Sequence, residues 1–106
     1  MTSLSVLLII NNEEKQLKQC LERVSFADEI IVILDKCTDK SKEIARNYTK
    51  KIFSGSWDIE GKRRNFGLEK CNKTWILEID ADERISDELK NEIISKVKNS
   101  KYDWHL

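Results

Sequence analysis

Residues Trp75 to Ser86 read WILEIDADERIS, an apolar run that ends in three carboxylates within four positions: Asp80, Asp82 and Glu83. Like charges this close repel one another, and none of them helps a buried strand. In a non-helical turn, Asp80 and Asp82 can both point a carboxylate toward one cation. Mg²⁺ or Mn²⁺ prefers such oxygen ligands, usually one or two carboxylates, with waters and substrate phosphates filling the remaining positions. A metal there relieves the repulsion and tethers a diphosphate as a leaving group. In the alternative reading, Asp82 or Glu83 is simply an acidic first-turn residue of the next helix. That accounts for Glu83, but Asp80 lies too far ahead of the helix.

Other polar residues carry two readings each. Asp35, in ILDKCTD, can accept hydrogen bonds from the N–H of a nucleobase, or it can make an Asx-type bond within its own turn. Asn12 and Glu13 follow the apolar run SVLLII and serve equally well as helix-start residues. Lys62, Arg63 and Arg64, in EGKRRNFGL, form the strongest basic cluster near an expected helix start. Cations there oppose the helix dipole, so phosphate binding explains them better than stability does. A solvated surface cluster is the competing reading. The lysines from Lys90 to Lys101 read as a solvated helix face.

The bulk composition leaves only local charge to work with. The chain has 106 residues, enough for one domain and one core, with 36% charged and 40% hydrophobic residues. Nineteen basic residues balance nineteen acidic ones, so no global field draws in nucleic acid or an anionic membrane. Cys20, Cys37 and Cys71 form no C-x-x-C pair and the single histidine is His105, which argues against a thiolate zinc site. Cys20 and Cys71 fall on expected apolar helix faces as buried free thiols, which suits a reducing cytosol. The opening MTSLSVLLII lacks a basic leading region and is halted by NNEE, so it reads as a buried strand rather than a leader, and no segment is long enough to cross a membrane.

The elements that position these residues alternate. SVLLII (Ser5–Ile10) is the continuous apolar run of a strand covered on both faces. The stretch after it, through Val24, places Leu17, Cys20, Leu21 and Val24 at helical spacing. EIIVIL (Glu29–Leu34) reads as a second strand, and Thr38 or Asp39 can cap a helix carrying Ile44, Ala45 and Tyr48. KIFS (Lys51–Ser54) is a short third strand, followed by a helix over Glu60 to Lys70. TWILEID (Thr74–Asp80) is the fourth strand, and a last helix from about Ser86 aligns Leu89, Ile93 and Val97. YDWHL is compatible with the start of a fifth strand. Such alternation predicts a three-layer α/β/α domain with a mostly parallel sheet and right-handed crossovers. Ligands in such sheets bind beyond the carboxyl ends of the strands. Asn11, Asn12, Glu13, Asp35, Asp80 and Asp82 all fall there.

Together, SVLLIINNEE, ILDKCTDKSKEIA, GKRRNFGL and WILEIDADER resemble the family 2 glycosyltransferases of the GT-A fold, over nearly the whole chain from about Ser5 onward. DADER, ADEIIVI and the GKRRNFGL helix are most similar to bacterial members that build lipopolysaccharide cores. The resemblance implies the Rossmann-like, nucleotide-sugar-binding half of such an enzyme, truncated, as a single domain over residues 1–106. It makes Asp82 the principal metal-binding carboxylate, with Asp80 at the ribose or the metal shell. It makes Asp35 the reader of a nucleobase, typically uracil, sets Asn12 and Glu13 at the nucleotide edge, and matches Arg64 to the basic residue of the helix before the D-x-D strand. The implied reaction is inverting transfer from a nucleotide sugar, UDP-linked, to a cell-envelope glycan or lipid-linked acceptor, assisted by Mg²⁺ or Mn²⁺. The implied location is cytoplasmic, or peripheral at the inner face of the membrane.

Two departures stand out. Leu34, Lys36 and Cys37 replace the family's first acid, glycine and serine in the second-strand loop, and the lost glycine removes a close backbone approach to the ligand. The resemblance also implies that the acceptor site and the general base, usually an Asp or Glu, lie beyond Leu106; an inverting transferase needs such a base, and nothing here, Glu83 included, is well placed for it. A binding-only module, or a half-enzyme completed by a homo-oligomer or a second chain, is therefore the alternative. A haloacid-dehalogenase-like phosphatase also has D-x-D after a strand, but on the first strand of its sheet and with Thr or Val where this chain has Arg84.

Overall fold

The computed structural model describes residues 3–99 and 104–105. Five strands and four helices alternate: β1 (Leu4–Ile10), α1 (Glu14–Arg23), β2 (Glu29–Asp35), α2 (Ser41–Ala45), β3 (Ile52–Gly55), α3 (Glu60–Lys70), β4 (Trp75–Ile79), α4 (Asp87–Asn99) and β5 (Trp104–His105). The strands lie in the order β3-β2-β1-β4-β5, and every neighbouring pair is parallel. The strand bounds fall within about a residue of the sequence reading, with Asp80 just outside β4, whereas α1 begins only at Glu14 and α2 ends at Ala45, leaving Tyr48 in the turn beyond it. Of the segment expected to open a fifth strand, Trp104 and His105 pair with Leu77 and Glu78; Tyr102, Asp103 and Leu106 lie outside the described residues.

The sheet separates two apolar layers, as its unbroken hydrophobic strands require. On one face Val6, Leu8, Ile10, Val32, Leu34, Leu77 and Ile79 pack with Leu17, Cys20 and Leu21 of α1, Ala45 of α2, and Ile93 and Val97 of α4. On the other face Leu7, Ile31 and Ile33 meet Phe66 and Leu68 of α3, with Phe53, Trp57, Cys71 and Ile76 around them. Strand β4 shows the pleat directly: Trp75, Leu77 and Ile79 are buried, while Ile76 and Glu78 between them are half-exposed on the α3 side.

Helix α3 approaches the sheet closely because Gly67 has no side chain. A Cβ placed there would lie 2.8 Å from Leu7 Cδ1 and 3.2 Å from Ile33 Cγ1. Leu7 is fully buried, so it cannot swing aside freely. Gly67→Ala gains about 1 kcal/mol of helix propensity but overpacks the layer at a cost of about 1–3 kcal/mol. Urea unfolding is therefore expected to show a net loss of about 1 kcal/mol, and a stabilised variant would contradict this packing.

Cys20 is buried as expected, whereas Cys71 is half-buried at the end of α3, its thiol donating to the Gly67 carbonyl at 3.5 Å. Burial pushes both thiols up to about 11, so neither is a ready nucleophile.

Candidate functional site

Strand order reverses between β1 and β4, since β2 and β3 extend the sheet to one side of β1 and β4 to the other. The crevice at that reversal is where parallel sheets hold ligands. Asn11, Asn12 and Glu13 leave β1 at this edge, Asp35 ends β2, and Asp80 to Asp82 leave β4. The predicted polar edge exists.

The loops from β1 and β2 are clasped together. The Asn11 side-chain amide donates to the Asp35 carbonyl at 2.9 Å. Asn12 takes a left-handed backbone, φ 50°, and its Oδ1 accepts the amides of Thr38 at 2.7 Å and Asp39 at 3.2 Å. Asp39 reaches back: its Oδ2 accepts the Glu14 amide at the start of α1, and its Oδ1 accepts the Ser41 amide at the start of α2, each at 3.0 Å. Burial alone would raise the Asp39 carboxyl, but the hydrogen bonds from Ser41 and Glu14 outweigh it and hold the group below its ordinary value. Of the two expected helix-start residues, Glu13 does open α1, while the Asn12 side chain is engaged by the β2 loop. Glu13 stands at the N-cap with no side-chain cap bond, and the cap comes from Asp39 on the neighbouring loop.

Asp35 does not make the Asx-type bond within its own turn that its position allows. It is 3% exposed; its Oδ1 accepts the Trp57 amide at 3.0 Å and its Oδ2 accepts Arg63 at 2.9 Å. Its partners come from the segment before α3 and from α3 itself, rather than from its own turn. Lys36, directly after it, has φ 54°, the left-handed conformation that a glycine takes without strain. Lys36, where the resemblance expects glycine, thus takes the backbone shape that a glycine would take there. Trp57 fits over the end of β3 only because residue 55 is glycine: a Cβ there would lie 2.4 Å from the indole.

The basic cluster divides between two strands. Arg64, the residue singled out by resemblance, bonds Glu78 of β4 at 2.7 Å, whereas Arg63 is the one that reaches Asp35. Successive residues on a helix point about 100° apart, which directs these adjacent arginines to different partners.

The D-x-D segment forms a turn of its own. The Glu83 amide donates to the Asp80 carbonyl at 3.0 Å, and Glu83 Oε1 accepts the Asp80 amide at 2.8 Å. Arg84 fastens this turn to α1, donating to the Ala81 carbonyl at 2.6 Å and the Gln16 carbonyl at 3.0 Å. Helix α4 starts later, at Asp87, with Ser86 Oγ accepting the Leu89 amide at 3.1 Å. The first-turn alternative for Asp82 and Glu83 is therefore not realised: Glu83 closes the turn, and Arg84, which sequence reading weighed only as a mismatch to a phosphatase, holds it in place.

Asp80 and Asp82 are both exposed, and neither carboxylate takes a hydrogen bond or salt bridge among the described residues. Their charges accumulate. Burial, then the charges of Glu83, Asp82 and Glu78, raise the Asp80 carboxyl, with Arg63 opposing. Burial also raises Glu13, against a hydrogen bond from the Asn11 amide, and Asp82 and Asp80 push it further while Arg63 again opposes. Among the described residues no three His, Cys, Asp or Glu side chains are arranged to hold a metal by themselves. The donor set suits a divalent ion that takes one or two carboxylates here and completes its shell from waters and a ligand.

Comparisons with known proteins bear on this edge. The family model described as glycosyl transferase family 2 matches residues 5–104. The uncharacterized glycosyltransferase RT0209 of Rickettsia typhi is 33% identical over 94 residues, 88% of this chain and 32% of that protein. The lipopolysaccharide core biosynthesis glycosyltransferase LpsC of Rhizobium meliloti is 29% identical over 92 residues, 82% of this chain and 34% of its own length. Among solved structures, glucosyl-3-phosphoglycerate synthase from Mycobacterium tuberculosis, in complex with Mg²⁺ and UDP, superposes with a TM-score of 0.68 at 19% identity, covering 78% of this chain and 35% of that one. This chain spans about a third of the length of the relatives it matches. Its strand–helix order is that of the GT-A Rossmann-like fold, and the chain belongs to glycosyl transferase family 2.

Proposed function

We propose that this chain is the donor-binding portion of a glycosyltransferase, holding a nucleotide sugar at the β1–β4 crevice through a divalent cation. One observation carries the reading: two exposed carboxylates, Asp80 and Asp82, stand unpaired at the topological switch point, on a turn that Glu83 and Arg84 hold in place. Mg²⁺ or Mn²⁺ at Asp82, with Asp80 at the ribose or the metal shell, supplies the charge that a departing diphosphate needs. Asp35 and the clasped loop of Asn12 and Glu13 line the nucleotide side. Arg64 braces Glu78 below Asp80. UDP is the expected nucleotide, as the complex of the Mycobacterium synthase with Mg²⁺ and UDP supports. The complete enzyme would then pass the sugar, with inversion, to a cell-envelope glycan or lipid-linked acceptor, a class that fits the role of LpsC in lipopolysaccharide core biosynthesis. No helix among the described residues is long and apolar enough to cross a membrane.

Calorimetry tests the donor site. UDP in the presence of Mn²⁺ is expected to bind at least ~10-fold more tightly than UDP after the metal has been stripped with EDTA, because the ion bridges acids and diphosphate that otherwise repel. Equal affinity with and without metal would remove the cation from the site.

A further inference from the structure

Arg63 is the cation that the acidic edge already contains. Its Nη1 bonds Asp35 at 2.9 Å, its Nη2 lies 3.7 Å from the exposed Glu60, and its Nε is buried without a partner. A guanidinium has five donors and favours forked, bidentate partners such as carboxylate or phosphate. Here most of that capacity is unspent, in a side chain only 23% exposed. Its charge also acts on Glu13, after β1, and on Asp80, after β4. One side chain thus bonds the acid that ends β2 and opposes the charge of the segments that leave two further strands.

We infer that Arg63 is a resident counter-cation which the site transfers to the diphosphate of its ligand, so that metal and nucleotide bind as a coupled pair. The inference rests on the donor-site reading above and singles out Arg63 from the basic cluster, where the resemblance matched Arg64. Before ligand arrives, Arg63 partly neutralises the edge and repels an incoming divalent ion, so metal alone binds weakly. A nucleoside diphosphate brings enough negative charge for both cations and offers phosphate oxygens to the unspent donors. Once Arg63 turns toward them, the repulsion on the metal falls. Couplings of this kind commonly amount to about 5–150-fold.

The experiment titrates the chain with Mn²⁺ alone, and separately with UDP at saturating Mn²⁺, for the wild type, Arg63→Gln and Arg63→Lys. For Arg63→Gln, Mn²⁺ alone is expected to bind roughly 3–10-fold more tightly, while UDP with Mn²⁺ binds ~10-fold or more weakly. Arg63→Lys keeps the charge and loses the fork, so Mn²⁺ alone binds as in the wild type and UDP falls between the other two. A residue that merely fastens α3 to β2 would not move the two affinities in opposite directions. If the wild type binds UDP with metal and both variants match it, or if Mn²⁺ and UDP affinities fall together in Arg63→Gln, the transfer is overturned and the donor site stands. If Arg63→Gln does not fold, Arg63→Lys decides alone: UDP affinity equal to the wild type overturns the inference. A wild type that binds no UDP with metal sinks the donor-site reading, and the transfer with it.

Discussion

Asp82→Ala is expected to lower the affinity for UDP in the presence of Mn²⁺ by at least about 100-fold. Removing groups that only orient a metal ligand already costs ~10–100-fold, and Asp82 is proposed as a ligand itself. The affinity for UDP without metal should stay the same or rise slightly, since a carboxylate that repels the diphosphate is gone. The fold should be untouched. Asp82 is exposed and takes no hydrogen bond or salt bridge among the described residues, while the turn is held by Glu83 and Arg84. Calorimetry with and without Mn²⁺, alongside a thermal melt, checks all three statements. An Asp82→Ala chain that binds UDP and metal like the wild type would leave the D-x-D without the role proposed for it.

At the opposite edge of the sheet, Glu29→Ala is expected to cost about 3 kcal/mol of folding stability and leave UDP binding unchanged. Glu29 begins β2 with its side chain 1% exposed. It accepts the Ser5 hydroxyl at 2.7 Å and the Asn72 amide at 2.9 Å, and it is ion-paired with Lys51. Ser5 in turn accepts the Lys73 amide at 3.2 Å. One carboxylate therefore joins β1, β2, the residue before β3 and the loop before β4. Burial by itself would raise this carboxyl, but Lys51, Asn72 and Ser5 outweigh it and hold it down at about 2. The full linkage between 4.5 and about 2 corresponds to roughly 3 kcal/mol, and the half-exposed lysine reduces the ionic share to about 2 kcal/mol. Truncation adds the cost of the fully buried Ser5 hydroxyl left without its acceptor, about 1 kcal/mol or more. For a chain of this size the melting temperature should fall by roughly 12 °C or more. Because the folded-state value is depressed, the ionic contribution is complete above about pH 4.5 and is lost as pH falls through about 2. Urea unfolding of the wild type should weaken across that window, and the Glu29→Ala chain should lack that part of the decline. An identical acid limb in both proteins would show that Glu29 does not carry it.

The sequence conveyed the strands well, because unbroken runs such as SVLLII and EIIVIL have few alternatives once they are bounded by charge. It also placed the acidic edge correctly, since strand ends follow directly from strand bounds. It did not convey which groups are spent on holding the loops. The Asp39 cap on α1 joins residues 25 positions apart, and no local pattern announces such a bond. The burial of Asp35 depends on Trp57 and Arg63 arriving from the third strand–helix unit. The division of labour between Arg63 and Arg64 depends on helix rotation, which a motif match one residue wide does not resolve. A long basic side chain right after an acidic turn was the available signal for Arg84, and its use as a clasp follows from the proximity of α1.

The all-parallel pairing also shapes how the chain acquires this structure. Among the described residues no two adjacent strands form a hairpin, so no rung of the ladder can close before an intervening segment has been crossed. Central β1 must wait for Glu29–Leu34 on one flank, and on the other for Trp75, the partner of Leu4. Such distant pairings slow the search and prolong the exposure of uncharged β-forming runs. During synthesis, SVLLII thus leaves the ribosome long before its second neighbour exists, and this is the interval in which a chaperone has most to protect.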